Sequence, residues 1–119
     1  MEPSGKSDLV SVVIPVYNAE KTVARALKSV LSSDCKNLEA IVVYRDGGDN
    51  TLEAVKSVAD GRVKIVRQES PTGPGGARNL GIAASSGDWI AFAESDDFVP
   101  PNFYSTLLAG AKSLGCDIA

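Results

Sequence analysis

The chain contains no histidine. That absence excludes histidine-ligated zinc sites and Ser-His-Asp or Cys-His catalysis within these 119 residues. Cysteine is scarce. Cys35 and Cys116 stand far apart, in no CxxC pattern, which is too little for a disulfide scaffold or a structural zinc site. Two reduced thiols in a cytoplasmic protein is the reading that follows. A cationic excess is lacking too: 12 Lys and Arg against 15 Asp and Glu leave a formal charge of −3. A nucleic-acid partner held by phosphate neutralisation is therefore not expected. No apolar run approaches the ~20 residues of a membrane span, and the polar start Met-Glu-Pro-Ser-Gly-Lys-Ser-Asp has no signal-peptide core.

What remains is an ordinary globular composition, 44% hydrophobic and 23% charged, in a length typical of one domain. Residues 1–8 read as a flexible lead and 9–119 as the domain. Four short apolar runs punctuated by Gly, Pro and Asp read as strands. They are Leu9–Ile14, ended by Pro15; Leu38–Tyr44; Arg62–Arg67, which alternates like an edge strand; and Asp88–Ala93. Between them the period turns helical. Val23, Leu27, Val30 and Leu31 share one face, with Asn18 as N-cap. Leu52, Val55 and Val58 follow Asn50, which with Glu53 has the spacing of a capping box. A third helix is expected over 76–85 with Leu80 and Ala83 or Ala84 inward. A fourth starts near Pro101, with Phe103, Leu107, Ala111 and Leu114 inward.

Strand and helix alternating four times predict an α/β fold, a doubly wound, mostly parallel sheet with helices on both faces. Asp117-Ile118-Ala119 has the look of a fifth strand's start, so the domain reads as C-terminally truncated. Such sheets bind ligands at the carboxyl ends of their strands, which directs attention to four loops. In the first, Pro15-Val16-Tyr17-Asn18-Ala19-Glu20, Tyr17 offers a flat face for a base or sugar, and Asn18 and Glu20 offer polar groups for hydroxyls; a plain turn is the alternative. In the second, Asp46 precedes Gly47-Gly48, whose glycines permit a tight turn, and can accept from a base or ribose. The third, Gly-rich from Gly73 to Gly76, opens a helix able to meet an anion. Arg78 in its first turn opposes the macrodipole and hints at an anionic partner. In the fourth, Glu94, Asp96 and Asp97 crowd three carboxylates around Ser95. Oxygen-only donors suit Mg2+ or Mn2+, which could bridge carboxylates and a diphosphate; a helix-capping turn is the alternative.

Taken in order, these motifs resemble the nucleotide-binding half of the family 2 glycosyltransferases, inverting enzymes of GT-A fold. Val12-Val13-Ile14-Pro15-Val16-Tyr17-Asn18-Ala19-Glu20 is similar to their first strand and loop. Gly75-Gly76-Ala77-Arg78-Asn79-Leu80-Gly81 is similar to their Ala-Arg-Asn-x-Gly helix, and Gly87-Asp88-Trp89-Ile90-Ala91-Phe92 with the acidic loop to the approach to their Asp-x-Asp motif. The resemblance covers residues 9–119. It implies transfer of a sugar from a UDP- or GDP-sugar to a hydroxyl acceptor, such as a sugar or lipid-linked glycan. It implies a nucleotide-sugar site of Pro15, Val16, Tyr17, Asn18, Glu20, Asp46, Arg78, Glu94, Ser95 and Asp96, with Mn2+ or Mg2+ on Asp96 and Glu94.

Two departures stand out. Tyr44 and Arg45 occupy the places of a usual Asp pair, and Glu94 replaces the first Asp of Asp-x-Asp. The family's general base lies beyond Ala119, so the isolated chain is expected to be weak or inactive in transfer. The rival readings are a non-catalytic interaction module of the same fold and, less favoured, a nucleotidyltransferase. The latter usually carries a Gly-rich, Arg-containing loop after the first strand, where Pro15-Val16-Tyr17-Asn18 stands. A phospho-receiver domain needs an acidic pair there and is excluded. An uncovered sheet edge would also favour a homodimer.

Overall fold

The computed structural model describes residues 9–35, 37–69 and 73–114. Its elements run β1 (Val10–Tyr17), α1 (Val23–Leu31), β2 (Leu38–Arg45), α2 (Thr51–Val58), β3 (Val63–Arg67), α3 (Gly73–Ala84), β4 (Trp89–Phe92) and α4 (Phe103–Leu114). The strands form one sheet of order β3-β2-β1-β4, with every pairing parallel. The chain moves outward from β1 to β3, then crosses back to lay β4 on the other side of β1. The strand order therefore reverses at β1, and the crevice beside the carboxyl ends of β1 and β4 is the expected ligand edge. The segment 117–119, read as a fifth strand's start, lies outside the described residues, as do residues 1–8 and Cys116.

β1 and β2 are buried on both faces, as their near-continuous apolar sequences require of inner parallel strands. Alternation divides their side chains between two layers. Val12, Ile14, Ala40 and Val42 pack with Val23, Leu27 and Val30 of α1, Val55 of α2 and Tyr104 of α4. Val13, Ile41 and Val43 pack with Ala77 of α3 on the opposite face. Helices thus cover both faces, three on one and α3 on the other. α3 lies close: a Cβ on Gly81 would stand 2.3 Å from Cγ1 of Val13. Cys35 is a buried member of the larger layer.

Several local readings need correction. β1 does not end at Pro15 but runs on to Tyr17. The carbonyl of Val13 accepts the N–H of Ala93, so Pro15, two residues on, faces the same side, where β4 has already ended. Its missing N–H deprives no partner. Asn18 does not cap α1. It sits in the left-handed region at φ 49°, and α1 begins after Thr22, without a side-chain cap. Asn50 forms no capping box either; Asp49 accepts from the N–H and hydroxyl of Thr51. Leu80 and Phe103 are partly exposed rather than inward. Ala77 and Gly81 face the sheet from α3, and Tyr104 takes the inner position on α4, its ring meeting Phe103 edge-on at 5.0 Å. The side chains of Ala111 and Leu114 lie outside the description.

At the amino end of the sheet a polar cluster closes on itself. The Ser11 hydroxyl donates to Glu39 Oε2 at 2.6 Å, the Ser86 N–H donates to the same oxygen, and Gly87 N–H donates to Ser11 Oγ at 2.8 Å. Lys64 Nζ stands 3.1 Å from Glu39 Oε1 and also donates to the Ala84 carbonyl and Ser86 Oγ. Burial pushes the Glu39 carboxyl up, but these donors outweigh it and hold the group below its ordinary range.

Candidate functional site

At the opposite, carboxyl end, a cleft of about 290 Å3 opens on the α3 face of the sheet. Pro15, Val16 and Tyr17 form one wall, and Val43, Arg45 and Gln68 another. Ala77 of α3 and Ser95 of the acidic turn complete it. The structure thus brings four of the expected site residues, Pro15, Val16, Tyr17 and Ser95, to a single cavity. Arg45 and Gln68 join them, although the sequence reading singled out neither as a site residue. Alternation was the available signal: Val43 and Arg45 must share a face, and that face is the one α3 covers only in part.

The Arg45 guanidinium lies over the Tyr17 ring, 4.2 Å from its centroid. One face of the Tyr17 ring is therefore taken by a cation rather than left open for a base. Asn18 turns its side chain against the second loop, where a Cβ on Gly47 would meet Asn18 Oδ1 at 1.9 Å. Gly48 takes the left-handed conformation at φ 86° that completes this turn. Loops one and two are thereby locked together.

Two expected ligand carboxylates are committed to that lock. Glu20 Oε1 accepts the Asn50 N–H at 3.2 Å, at the start of α2. Asp46 Oδ1 accepts the Gly48 N–H at 3.0 Å. That bond and one from the Tyr44 hydroxyl hold the Asp46 carboxyl below its ordinary range. Burial and Asp46 in turn push the Tyr44 phenol up. Asp46 does not line the cleft. Thr51, fully buried, binds the first loop from below through its hydroxyl, which accepts the Ala19 N–H at 2.9 Å.

The fourth loop closes on itself through two reciprocal bonds, Glu94 N–H to Asp97 Oδ2 at 3.0 Å and Asp97 N–H to the Glu94 carbonyl at 3.2 Å. Asp97 thus shapes the turn. The Glu94 and Asp96 side chains are exposed beside Ser95. Among the described residues no three His, Cys, Asp or Glu side chains converge into a metal cage. The donor set still fits a hard cation of the kind held by one or two carboxylates, its shell completed by substrate phosphate and water. Arg78 lies on the β4 side of α3, its guanidinium 5.7 Å from the Phe92 ring centroid. Because α3 begins at Gly73, Arg78 stands beyond the first turn, so the macrodipole argument for an anion there loses its force. Among the described residues no helix is long and apolar enough to cross a membrane.

Comparison with known proteins agrees with this fold. The family model described as "Glycosyl transferase family 2" matches residues 11–119. The succinoglycan biosynthesis protein ExoO of Rhizobium meliloti is 37% identical over 110 residues, covering 92% of this chain and 32% of that protein. The Escherichia coli UDP-Glc:alpha-D-GlcNAc-diphosphoundecaprenol beta-1,3-glucosyltransferase WfgD is 42% identical over 89 residues, 75% of this chain and 35% of its own length. The crystal structure of S. aureus TarS 1-349 in complex with UDP-GlcNAc superposes with a TM-score of 0.77 at 28% identity, over 88% of this chain and 31% of that one. The chain spans about a third of the length of these curated relatives. The fold is that GT-A half, and this chain belongs to glycosyl transferase family 2.

Proposed function

We propose that the chain is the donor-binding part of a glycosyltransferase that moves a sugar, with inversion and metal assistance, from a nucleotide diphosphate sugar to a hydroxyl acceptor. The observation that carries the reading is the meeting, at the strand-order reversal, of a cleft lined by Tyr17, Arg45 and Ser95 with an exposed pair of carboxylates, Glu94 and Asp96. TarS, a structural neighbour, has been crystallised with UDP and with UDP-GlcNAc.

In this reading the nucleoside enters the cleft between β1, β2 and α3, and Glu94 and Asp96 are the residues that would hold Mn2+ or Mg2+. Such a metal, when bound, would supply a Lewis acid for the leaving phosphate. Arg78, beside Phe92 on the same flank, adds a positive charge near the leaving group. Tyr17 and Pro15 shape the pocket, while Glu20 and Asn18 act through the loop lock rather than by touching the ligand. Inverting transfer also requires a base to take the acceptor's proton. Glu20, Asp46 and Asp97 are committed to backbone N–H groups, and Glu94 and Asp96 are assigned to the metal. The family resemblance implies a base outside these residues, and the isolated chain is expected to bind donor without efficient transfer. A sugar or lipid-linked glycan acceptor at the cytoplasmic side of a membrane, and pairing of two copies through the β4 edge, complete the proposal.

Calorimetry with nucleotide diphosphates in the presence and absence of Mn2+ tests it. Metal-dependent binding that weakens in Asp96→Ala is expected; no heat with any nucleotide diphosphate would refute it. A second reading, a non-catalytic module of the same fold, is favoured by Tyr44 and Arg45 standing where the family's Asp pair would be. Efficient metal-dependent nucleotide binding counts against it.

A further inference from the structure

The first loop hangs on one buried hydroxyl. Ala19 is 6% exposed, so its N–H is shut off from water and needs an acceptor within the protein. That acceptor is Thr51 Oγ1, at 2.9 Å, on the first residue of α2 and itself fully buried. A threonine hydroxyl carries one proton and two lone pairs and can point either way. Asp49 decides the direction. Its Oδ1 accepts from both the hydroxyl and the N–H of Thr51. The Thr51 hydroxyl in turn holds the Asp49 carboxyl below its ordinary range, so at neutral pH the group is ionised and only accepts. The hydroxyl proton therefore goes to Asp49, and a lone pair faces Ala19.

The Ala19 peptide is a junction. Its carbonyl accepts the N–H groups of Thr22 and Val23, where α1 begins. Just before it the backbone takes the left-handed turn at Asn18, φ 49°, a region that residues other than glycine occupy sparingly. Fixing the Ala19 N–H fixes the peptide plane that joins Asn18 to Ala19. It thereby fixes the direction from which Tyr17 reaches Arg45 and forms its side of the cleft. Thr51 itself does not line that cleft. We propose that Thr51, aimed by Asp49, is a positioning residue of the donor cleft: it sets the Tyr17 wall before a nucleotide arrives. The inference rests on the donor-site reading.

The test compares wild type with Thr51→Val, which keeps the shape and removes the hydroxyl, and Thr51→Ser, which keeps the hydroxyl. Each is titrated by calorimetry with UDP and with GDP in Mn2+, and the assigned Tyr17 ring resonances are followed by NMR. A buried N–H without an acceptor drives the loop towards water, and apparent affinity falls with the fraction of chains that keep the competent loop. Thr51→Val should therefore bind nucleotide about tenfold more weakly and shift the Tyr17 resonances. Thr51→Ser should recover affinity to within about twofold of wild type. Glu39→Ala, at the opposite end of the sheet, controls for stability: it should lower the denaturation midpoint and leave affinity within about twofold. If Thr51→Val does not fold, Asp49→Ala replaces it. There the hydroxyl remains but is no longer aimed, and binding should weaken about threefold; binding as in wild type overturns the assignment. Unchanged affinity in Thr51→Val, no recovery in Thr51→Ser, or an equal loss in Glu39→Ala also overturns it. Absence of nucleotide binding by wild type overturns the donor-site reading instead. The Tyr17 resonances then judge the positioning role, which fails if the Thr51 or Asp49 variant leaves them in place.

Discussion

The two ends of the sheet use their polar groups in opposite ways. At the amino end Ser11, Glu39, Lys64, Ser86 and Gly87 satisfy one another within a half-buried cluster. At the carboxyl end some polar groups are tied down to fix loop shape, and a few others, Arg45, Glu94 and Asp96, present charge to the cleft or to solvent. The contrast separates two jobs that the same residue types can do. A carboxylate surrounded by donors is a fastener; a carboxylate left outward on a turn is a candidate ligand. Which of the two a given Asp or Glu becomes depends on the backbone N–H groups that surround it.

The largest effect is expected where the fastener is complete. Glu39→Ala removes the acceptor of Ser11 and Ser86 N–H and the partner of Lys64. Leaving two such donors unpaired costs about 3 kcal/mol, read as a lower denaturation midpoint with an unchanged slope. Because the folded-state carboxyl titrates below its ordinary value, its contribution is fully present above about pH 5 and is lost as the pH falls through the folded value. The gap between wild type and variant should therefore close on acidification. A gap independent of pH between 7 and 3 would show that the cluster acts through packing alone.

A second variant tests the sheet between the two ends. Gly81→Ala drives a Cβ into Val13, whose side chain is fully buried. Overpacking of this kind costs about 2 kcal/mol. Since Ala77 of the same helix lines the cleft, the shift of α3 should also weaken nucleotide binding. Loss of stability with binding untouched would show that the cleft is set by the loops and not by the helix. Asp96→Ala is the reverse case. Its carboxylate is exposed, so stability should stay within about 0.5 kcal/mol of wild type, while the Mn2+-dependent part of nucleotide affinity falls about tenfold. A large loss of stability would place Asp96 among the fasteners.

This contrast also marks what could be read from the sequence. The four strands and four helices were legible because buried strands and helix faces impose periods that propensity and packing both favour. The edge position of β3 was visible in its alternation, and the ligand edge followed from the topology. The cap assignments failed because Asn18 and Asn50 were judged on residue type, whereas capping is a matter of backbone angle and of which neighbour arrives first. Asp49 lies one residue before Asn50 and takes the Thr51 N–H itself. Glu20 and Asp46, expected as ligands, each accept a backbone N–H that fixes loop shape, and Arg45, read only as a departure, lines the cleft. For Glu20 and Arg45 the outcome depends on contacts between distant parts of the chain, Glu20 with Asn50 and Tyr17 with Arg45, which no local pattern encodes; Asp46 is held by Gly48, two residues on.

The smallest expected effect is the most diagnostic of the distinction. Tyr104 is buried to 1% exposure in the larger core layer, and its hydroxyl has no hydrogen-bond partner among the described residues. Burial, with the Asp97 charge adding to it, pushes the phenol up to about 12, so it stays protonated and its O–H stays a donor in need of an acceptor. Tyr104→Phe deletes that donor and keeps the ring that packs on Phe103. A buried group of this kind carries its desolvation cost uncompensated, so its removal should raise stability by about 1 kcal/mol, the opposite sign to Glu39→Ala. Thermal melts of the two variants side by side make the comparison. If Tyr104→Phe destabilises instead, the hydroxyl has a partner in solution, and the polar groups of the larger core layer are as fully satisfied as those at the amino end.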